Sequence, residues 1–485
     1  MRRAIVLLAV AAGLSGCGAA ERTVVSTHET TTAAPASTTA PVKTARPKPR
    51  PRPKRKPAPV HKPHKRLRAV RITVVDGDTV RRVAGAFVAI GHKHARTDRS
   101  GVARIVVRRA ALPVTIARKG YATRTVRLWF KQHPQSTARI YQPRLQWPMY
   151  GAVPARTQAQ SSIRLRPPFR TIWSRGLGSL IEFPAVVSDG RAYIGNYKGT
   201  IYGLAMRNGK VAWKYDPPGG KMASSPAIFG DRLVVHGMDG WLRVLDRSSG
   251  RLAWSHYVGS PIESSPVVRG GVDYFGAWNG NVYALDLRTR RFRWVHSFGA
   301  KITSSAALSG GRLYIGDYAG RVMSLSQRDG RVLWARGVNG RVYGTPAVSG
   351  GRVFVPSSTG GSLTAFTTSG RHLWTRGTGA YVYSSPAVSN GRVYVGSYNG
   401  LLYAFSAATG STLWSVGAGG PVSGAVTLVD GVAYAGSTYG SIVGADARSG
   451  RVLLRFPHGE YVAVSGNGGT LLLHGYSRLY AVKPR

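Results

Sequence analysis

Tryptophan recurs at intervals of 40 or 41 residues through the C-terminal part of the chain, and Leu454 holds the next place in the series. Each interval contains four short runs of alternating apolar and polar residues, as in "SSPAVSNGRVYVGSYNGLLYAFSAATGSTLW" (384–414). Such alternation indicates strands, and the Asn-Gly and Thr-Gly pairs between the runs indicate tight turns. A repeat of this length with four antiparallel strands is typical of a propeller blade. The series consists of Trp173, Trp213, Trp254, Trp294, Trp334, Trp374 and Trp414.

The number of blades follows from the first strand of each unit. Eight such strands are present: "EFPAVV", "SSPAIF", "SSPVVR", "SSAALS", "GTPAVS", "SSPAVS", "SGAVTL" and "YVAVSG". The last unit ends at "RLYAVKPR" without an outer tryptophan strand, whereas an unmatched one, "RTIWSR" around Trp173, precedes the first unit. We therefore predict an all-β fold in which residues 144–485 form an eight-bladed β-propeller. The strand of Trp173 is expected to complete the eighth blade, which leaves no open sheet edge.

The recurring residues have a structural interpretation. One tryptophan per blade supplies a large apolar surface between neighbouring sheets. The glycines of the Thr-Gly and Ser-Gly pairs supply the positive φ angles of tight turns. We therefore assign the seven tryptophans to blade docking and look for functional residues elsewhere.

The N terminus, "MRRAIVLLAVAAGLSGC", has two arginines, an apolar run and small residues before Cys17, the one cysteine of the chain. This pattern is typical of an export signal. The stretch Leu14 to Cys17 resembles the bacterial lipobox, which implies that Cys17 is lipidated and becomes the first residue of the mature protein. We predict a lipoprotein signal peptide over residues 1–17 and a membrane-anchored, extracytoplasmic protein at the cell surface or in the periplasm. A cleaved signal with an incidental cysteine is the alternative.

The formal net charge of +49 implies contact with something anionic. Residues 18–71 are rich in Thr and Pro and then in alternating Pro and basic residues, so we predict a disordered tether that is extended by polyproline II structure. The tether either binds lipid headgroups or anionic wall polymer, or its charge merely keeps it extended. No nucleic-acid partner is expected, because the export signal removes the chain from the cytoplasm and the basic segment has no aromatic residues for base stacking.

Residues 72–143 contain short alternating runs with turn residues every eight to twelve positions, which predicts a small β-sandwich. The segments "VAGAFVAI", "TDRSGVA" and "ARKGYATRTVRL" resemble carboxypeptidase regulatory-like domains, which implies a prealbumin-like fold and an accessory role without chemistry. His92, His94 and Asp98 lie on a strand-to-turn segment and are interpreted as solvated surface residues, so no metal site is predicted.

The 40-residue repeats resemble those of the quinoprotein family, which includes quinone-dependent alcohol dehydrogenases and also the propeller lipoprotein of the outer-membrane β-barrel assembly machinery. The dehydrogenases imply adjacent cysteines over pyrroloquinoline quinone, a calcium site and an aspartate base. The repeats contain no cysteine, and calcium requires six to eight oxygen ligands. Glu182 and Glu263 each stand just before a first strand, where the family's cofactor face would lie. We expect no catalytic residue and no cofactor; a quinone-dependent oxidoreductase and a non-catalytic small-molecule sensor are the alternatives.

Strand direction sorts the loops onto two faces. The links between blades and the turns from second to third strands share one face, and the remaining turns share the other. Aromatic residues on the first face are typical of a binding surface, and the alternative is that they pack on neighbouring blades. Cations on the second face form a basic surface, and the alternative is that they are solvated turn residues repeated with each unit. The candidate binding residues are Tyr197, Trp278, Tyr318, Tyr343, Tyr381, Tyr383, Tyr398, Glu182 and Glu263. The basic residues are Lys210, Arg251, Arg291, Arg331, Arg371 and Arg451.

These observations together predict a monomeric, non-enzymatic scaffold that is anchored to a membrane and binds an envelope protein or an anionic wall polymer. The identity of the partner, the functional face and the number of membranes around the cell stay open at this point.

Overall fold

The computed structural model describes residues 68–107, 111–130 and 134–485 of the chain. The predicted signal peptide with Cys17, and all of the predicted tether before residue 68, lie outside the described residues. Within the described ranges, no helix is long and apolar enough to cross a membrane.

Two small sheets precede the propeller and share one core. Their orders are β4-β1-β7 and β3-β2-β5-β6, and fully buried side chains such as Ile72 and Val88 pack between them. The first strand begins at Arg68, four residues before the predicted boundary. The resemblance to carboxypeptidase regulatory-like domains stays a prediction. The strands are β1 (Arg68–Asp76), β2 (Phe87–Ile90), β3 (Lys93–Arg96), β4 (Val102–Val107), β5 (Ala111–Ala117), β6 (Arg124–Trp129) and β7 (Gln135–Ile140).

A short connection follows, with a 3-10 turn at Pro143–Leu145 and a two-residue strand, β8 (Ala159–Gln160). The repeats then form eight antiparallel four-stranded sheets, numbered as blades 1 to 8 along the chain. Blades 1 to 4 consist of β10 (Val186–Ser188), β11 (Arg191–Gly195), β12 (Ile201–Ala205), β13 (Val211–Tyr215); β14 (Ala227–Phe229), β15 (Arg232–His236), β16 (Trp241–Asp246), β17 (Leu252–Tyr257); β18 (Val267–Arg269), β19 (Val272–Gly276), β20 (Asn281–Asp286), β21 (Arg291–Ser297); and β22 (Ala307–Ser309), β23 (Arg312–Gly316), β24 (Arg321–Ser326), β25 (Val332–Gly337).

The remaining blades repeat this order, from a short inner strand to an outer strand that carries the tryptophan position. They consist of β26 (Ala347–Ser349), β27 (Arg352–Ser357), β28 (Ser362–Thr367), β29 (His372–Gly377); β30 (Ala387–Ser389), β31 (Arg392–Gly396), β32 (Leu401–Ser406), β33 (Thr412–Gly417); β34 (Thr427–Val429), β35 (Val432–Ser437), β36 (Ser441–Asp446), β37 (Val452–Phe456); and β38 (Val464–Asn467), β39 (Thr470–His474), β40 (Arg478–Pro484) with β9 (Phe169–Gly176).

The ring closes as the unmatched strand predicted. Strand β9 pairs antiparallel with β40, so that Trp173 lies opposite Ala481 and the N-terminal strand forms the outer edge of blade 8. Because the first and last parts of the propeller share one sheet, opening the ring requires breaking that sheet. The eight-bladed fold is confirmed.

The tryptophans join neighbouring blades. The indole N–H of Trp334 donates to the carbonyl of Thr368 at 3.0 Å, and that of Trp173 donates to Met206 at 2.8 Å, in each case in the next blade. The ring also lies against the turn glycine of that blade: a Cβ added to Gly410 would come within 2.6 Å of the Trp374 ring. At Gly410, glycine is therefore favoured both by the positive φ and by the tryptophan that packs on it.

Substituting two glycines separates these causes. Gly410 and Gly311 have nearly equal φ angles, 72° and 73°, but nothing lies within 4 Å of a Cβ at Gly311. We expect Gly311→Ala to lower the free energy of unfolding by about 1 kcal/mol, the cost of the left-handed conformation. Gly410→Ala should lower it by about 3 kcal/mol, because the tryptophan must also move. Equal losses in urea denaturation would show that the indole contact contributes nothing.

A segment that precedes the repeats fills the centre of the ring. We name residues 147–160 the plug. Its backbone carbonyls accept hydrogen bonds from the inner strands of six blades, for example Pro148 from Ile228 at 2.9 Å and Ala155 from Val348 at 2.9 Å. Within it, β8 adds a parallel fifth strand beside β34. The plug therefore satisfies inner-edge N–H groups that would otherwise face the channel.

The small sandwich is held against the closure seam. The carboxylate of Asp78, in the turn after β1, accepts hydrogen bonds from Asn467 of blade 8 at 2.9 Å and from Gln146 at 2.7 Å. Burial raises the pKa of Asp78 to about 7. A Cβ at Gly469 would lie 2.1 Å from the carbonyl oxygen of Asp78, so the two surfaces meet closely.

Candidate binding site at the channel mouth

A blind well opens on the face formed by the blade links. Tyr150 of the plug contributes to its lining, and its hydroxyl donates to Ser385 at 2.9 Å. The cavity has a volume of about 50 Å³, counted as the space that the centres of water molecules can occupy. We name this cavity the well. Besides Tyr150, its principal side chains are Glu182, Phe183, Glu263, Tyr343, Tyr383 and Tyr461.

Glu263 is fully engaged by its neighbours. The indole N–H of Trp278 donates to one carboxylate oxygen at 3.0 Å, and the Tyr343 hydroxyl donates to the other. Burial raises the pKa of Glu263, whereas these two hydrogen bonds and the charge of Lys301 act in the opposite direction. The Lys301 ammonium itself lies 3.2 Å from the centroid of the Trp278 ring. This arrangement is a closed network of an acid, aromatic rings and a cation.

Glu182 is different, because it makes no hydrogen bond or ion pair with another residue that the structure describes. Burial and the neighbouring charge of Glu263 raise its pKa to about 7. Burial, and to a smaller extent the two carboxylates, raise the pKa of Tyr343 well above its usual range, so its hydroxyl keeps the proton that it donates. The well thus contains one carboxylate with hydrogen-bond donors, that of Glu263, and one without a described donor, that of Glu182.

Most of the predicted aromatic residues come together beside the well. Ring centroids are 6.2 Å apart for Tyr318 and Tyr343, 5.5 Å for Tyr343 and Tyr383, and 4.9 Å for Tyr383 and Tyr398. Tyr381 contacts the last two rings and is 51% exposed. We name this set the aromatic band; it consists of Trp278, Tyr318, Tyr343, Tyr381, Tyr383 and Tyr398.

The predictions and the structure differ at several residues. Tyr197 lies on the same face but contacts none of the aromatic rings that the structure describes. Tyr439, which is 69% exposed, was missed because it stands one residue away from the repeat position of Tyr398. Tyr150 and Phe183 were missed because they lie in the plug and in a link without an aromatic repeat.

The opposite face carries the predicted cations. Lys210, Arg251, Arg291, Arg331, Arg371 and Arg451 are exposed, and none forms an ion pair with a described residue. Two arginines that begin second strands, Arg191 and Arg392, act differently. Arg191 donates to Ser248 of the next blade at 2.7 Å, and Arg392 donates to Arg448 at 2.6 Å. These arginines are therefore blade contacts rather than free charges.

The well does not fit the calcium and quinone of the dehydrogenases. Within the described ranges no cluster of three or more His, Cys, Asp or Glu residues could hold a metal ion. Both oxygens of Glu263 already accept hydrogen bonds, and Glu182 alone cannot provide the six to eight oxygens that calcium requires. The space in the well is also far below the ~300 Å³ of a typical cofactor pocket.

Fold and repeats define the class of this protein, an eight-bladed β-propeller of quinoprotein-type repeats. The family model described as outer membrane protein assembly factor BamB matches residues 169–305, 278–382 and 359–484. The chain belongs to this family.

Individual relatives match shorter segments. Outer membrane protein assembly factor BamB of Pseudomonas aeruginosa is 26% identical over 91 residues, 19% of this chain and 23% of its own length. Quinohemoprotein alcohol dehydrogenase ADH-IIG of Pseudomonas putida is 28% identical over 85 residues, 16% of this chain and 12% of its own length. The chain thus spans less than a quarter of each of these two relatives. The crystal structure of BamB from Moraxella catarrhalis covers 65% of this chain and 98% of its own, with a TM-score of 0.57 and 18% identity.

Proposed function

We propose that this chain is a non-enzymatic scaffold that works outside the cytoplasm and is held at a membrane through Cys17. It binds an envelope protein with the face formed by the blade links, which we name the link face. Family membership supports a role alongside assembly factors of the outer membrane. The relatives include a dehydrogenase, so they favour neither a catalytic nor a non-catalytic protein. The misfit of the well to a quinone and calcium favours a scaffold over an enzyme.

The observation that carries the proposal is a set of exposed tyrosines on the link face of blades 6 to 8. Tyr381, Tyr398, Tyr439 and Tyr476 are 51%, 37%, 69% and 56% exposed. Large aromatic side chains left in water on one face are typical anchors of a protein interface. The opposite face, with its unpaired cations, suits an anionic lipid surface or wall polymer, which leaves the tyrosines turned toward a partner.

Photocrosslinking in intact cells tests this proposal. A photoreactive phenylalanine analogue at position 398 is expected to trap one discrete envelope protein. The same analogue at Tyr257, which is 57% exposed on the outer strand of blade 2, is the matched control and should trap none. With the purified partner, Tyr381→Ala combined with Tyr398→Ala should weaken binding about tenfold or more. Equal crosslinking at both positions, or none at 398, would contradict the proposal.

The oxidoreductase alternative has its own test. Addition of pyrroloquinoline quinone and Ca²⁺ to the full chain is expected to give no dye reduction with alcohols or sugars. Dye reduction that disappears in Glu182→Ala would replace the scaffold by an enzyme.

A further inference from the structure

The charge of Glu182 is unbalanced within a strongly basic protein. The chain has 68 Lys and Arg residues against 19 Asp and Glu residues, yet no described cation pairs with this carboxylate. Its neighbour Glu263 is already compensated by Trp278, Tyr343 and Lys301. A largely buried carboxylate is costly unless it is paired, so this position is suited to a cation that arrives from outside.

The walls of the well favour an organic cation. Phe183, Tyr343, Tyr383 and Tyr461 contribute aromatic rings, and Tyr150 adds another. Aromatic faces attract ammonium and guanidinium groups, most strongly where water is excluded. A hydrated metal ion gains less from such walls, and the described carboxylates are too few to replace its water ligands.

The size of the well selects the end of a side chain rather than a whole small molecule. A single water needs roughly 10–15 Å³ of such space, so 50 Å³ holds a few waters or one ammonium or guanidinium group. A longer ligand must extend through the mouth, past Tyr383, onto the aromatic band. A lysine or arginine side chain has this shape, a charged end on an apolar stem.

We propose that the well receives the charged end of one lysine or arginine side chain of the bound polypeptide, with Glu182 as its counter-charge and the aromatic rings around its stem. This proposal rests on the proposed function for its polypeptide source, but the cation site itself is testable alone.

Isothermal titration calorimetry of the full chain in detergent tests the site. Nα-acetyl-lysine amide or Nα-acetyl-arginine amide is expected to bind saturably in the millimolar range, and the neutral Nα-acetyl-norleucine amide is not. Glu182→Gln should weaken cation binding at least tenfold, because the amide keeps the shape of the side chain but removes its negative charge. Tyr257→Ala, on the outer strand of blade 2 and not among the residues that line the well, should bind the probe like the unchanged protein.

The pH dependence provides a second measurement. Glu182 faces Glu263, Tyr343 and Tyr461, and the two tyrosines keep their protons near neutral pH. With a pKa of about 7 for Glu182, probe affinity should fall about tenfold from pH 8 to pH 6. This dependence should be absent in Glu182→Gln.

The stability of Glu182→Gln shows whether this variant is correctly folded. The raised pKa means that the unfolded chain ionises Glu182 more readily than the folded one, so this group lowers stability as pH rises from 4.5 toward 7. Glu182→Gln is therefore expected to raise the unfolding midpoint at pH 8 and not at pH 4.5. If Glu182→Gln loses probe binding but gains stability, the loss of binding is not caused by misfolding, and the Glu182 carboxylate binds the probe directly.

The outcomes separate the two proposals. No saturable cation binding, or equal binding by Glu182→Gln or by the norleucine probe, overturns the cation site even if crosslinking at position 398 succeeds. If the probe binds but Glu182→Gln leaves that crosslinking unchanged, the polypeptide source is overturned and a free amine is the ligand. If Glu182→Gln reduces both, the inference holds in full.

Discussion

Replacing Arg156 by methionine is expected to lower the free energy of unfolding by about 4 kcal/mol. Arg156 is completely buried at the centre of the ring. Its guanidinium donates to Ala306 at 2.9 Å, to Ser265 at 2.9 Å and to Pro266 at 3.0 Å, and also to Tyr150 within the plug. Methionine fills a similar volume but leaves these buried carbonyl groups without donors.

The charge of Arg156 has a buried counterpart. Burial lowers its pKa to about 10, and the negative charge of Asp273 acts against this, so the guanidinium stays protonated at neutral pH. The Asp273 carboxylate also contacts the ring nitrogen of His236 at 2.9 Å, and neither side chain has any exposed surface. Removing the guanidinium therefore also removes one positive charge from beside a buried acid.

Denaturation in urea, followed by tryptophan fluorescence, measures this effect. The matched control is Arg164→Met, because Arg164 lies just after the plug and is 73% exposed, with a single ion pair to Asp430 at 3.7 Å. We expect that control to change stability by less than about 1 kcal/mol. If both variants lost the same small amount, the plug would not be held by Arg156.

The second large effect is expected from Trp334→Ala, which should lower the free energy of unfolding by about 4 kcal/mol. Trp334 is 6% exposed, packs on Gly370 of the next blade and donates its indole N–H to Thr368. Truncation removes this surface and leaves a cavity between blades 4 and 5. Trp129 of the sandwich is 61% exposed, so Trp129→Ala is the control and should cost less than about 1 kcal/mol.

Trp254 provides a comparison within the same ring. In blade 3 the turn residue that faces it is Arg290, with φ of 60°, instead of glycine, and the guanidinium lies 5.6 Å from the centroid of a Trp254 ring. Trp254 is also more exposed than Trp334. Trp254→Ala should therefore cost less than Trp334→Ala in the same denaturation assay. A larger loss at Trp254 would contradict the packing of indole on glycine as the source of the stability.

The repeat residues carried most of the fold prediction. The interval between tryptophans, the turn glycines and the unmatched strand at Trp173 predicted the blade size, the number of blades and the closure of the ring. The plug was not predicted, because residues 147–160 contain no sequence repeat. Their backbone hydrogen bonds depend on six inner strands that are remote in the sequence.

The well was predicted only in part for a related reason. Glu182 and Glu263 were recognised by their position before first strands, but sequence position did not reveal that one would be compensated and the other unpaired. That difference depends on Tyr343 in blade 5 and Trp278 in blade 3, which reach the carboxylate of Glu263 only after the blades are arranged in a ring.

The amino-acid sequence by itself therefore determined the architecture, because strands, turns and blade contacts depend on residues that are close in the chain and recur in every unit. The tertiary structure decided which residues meet at the centre. Ring closure brings single side chains from distant blades and from the plug into one cavity, and their burial and hydrogen bonds arise from that convergence.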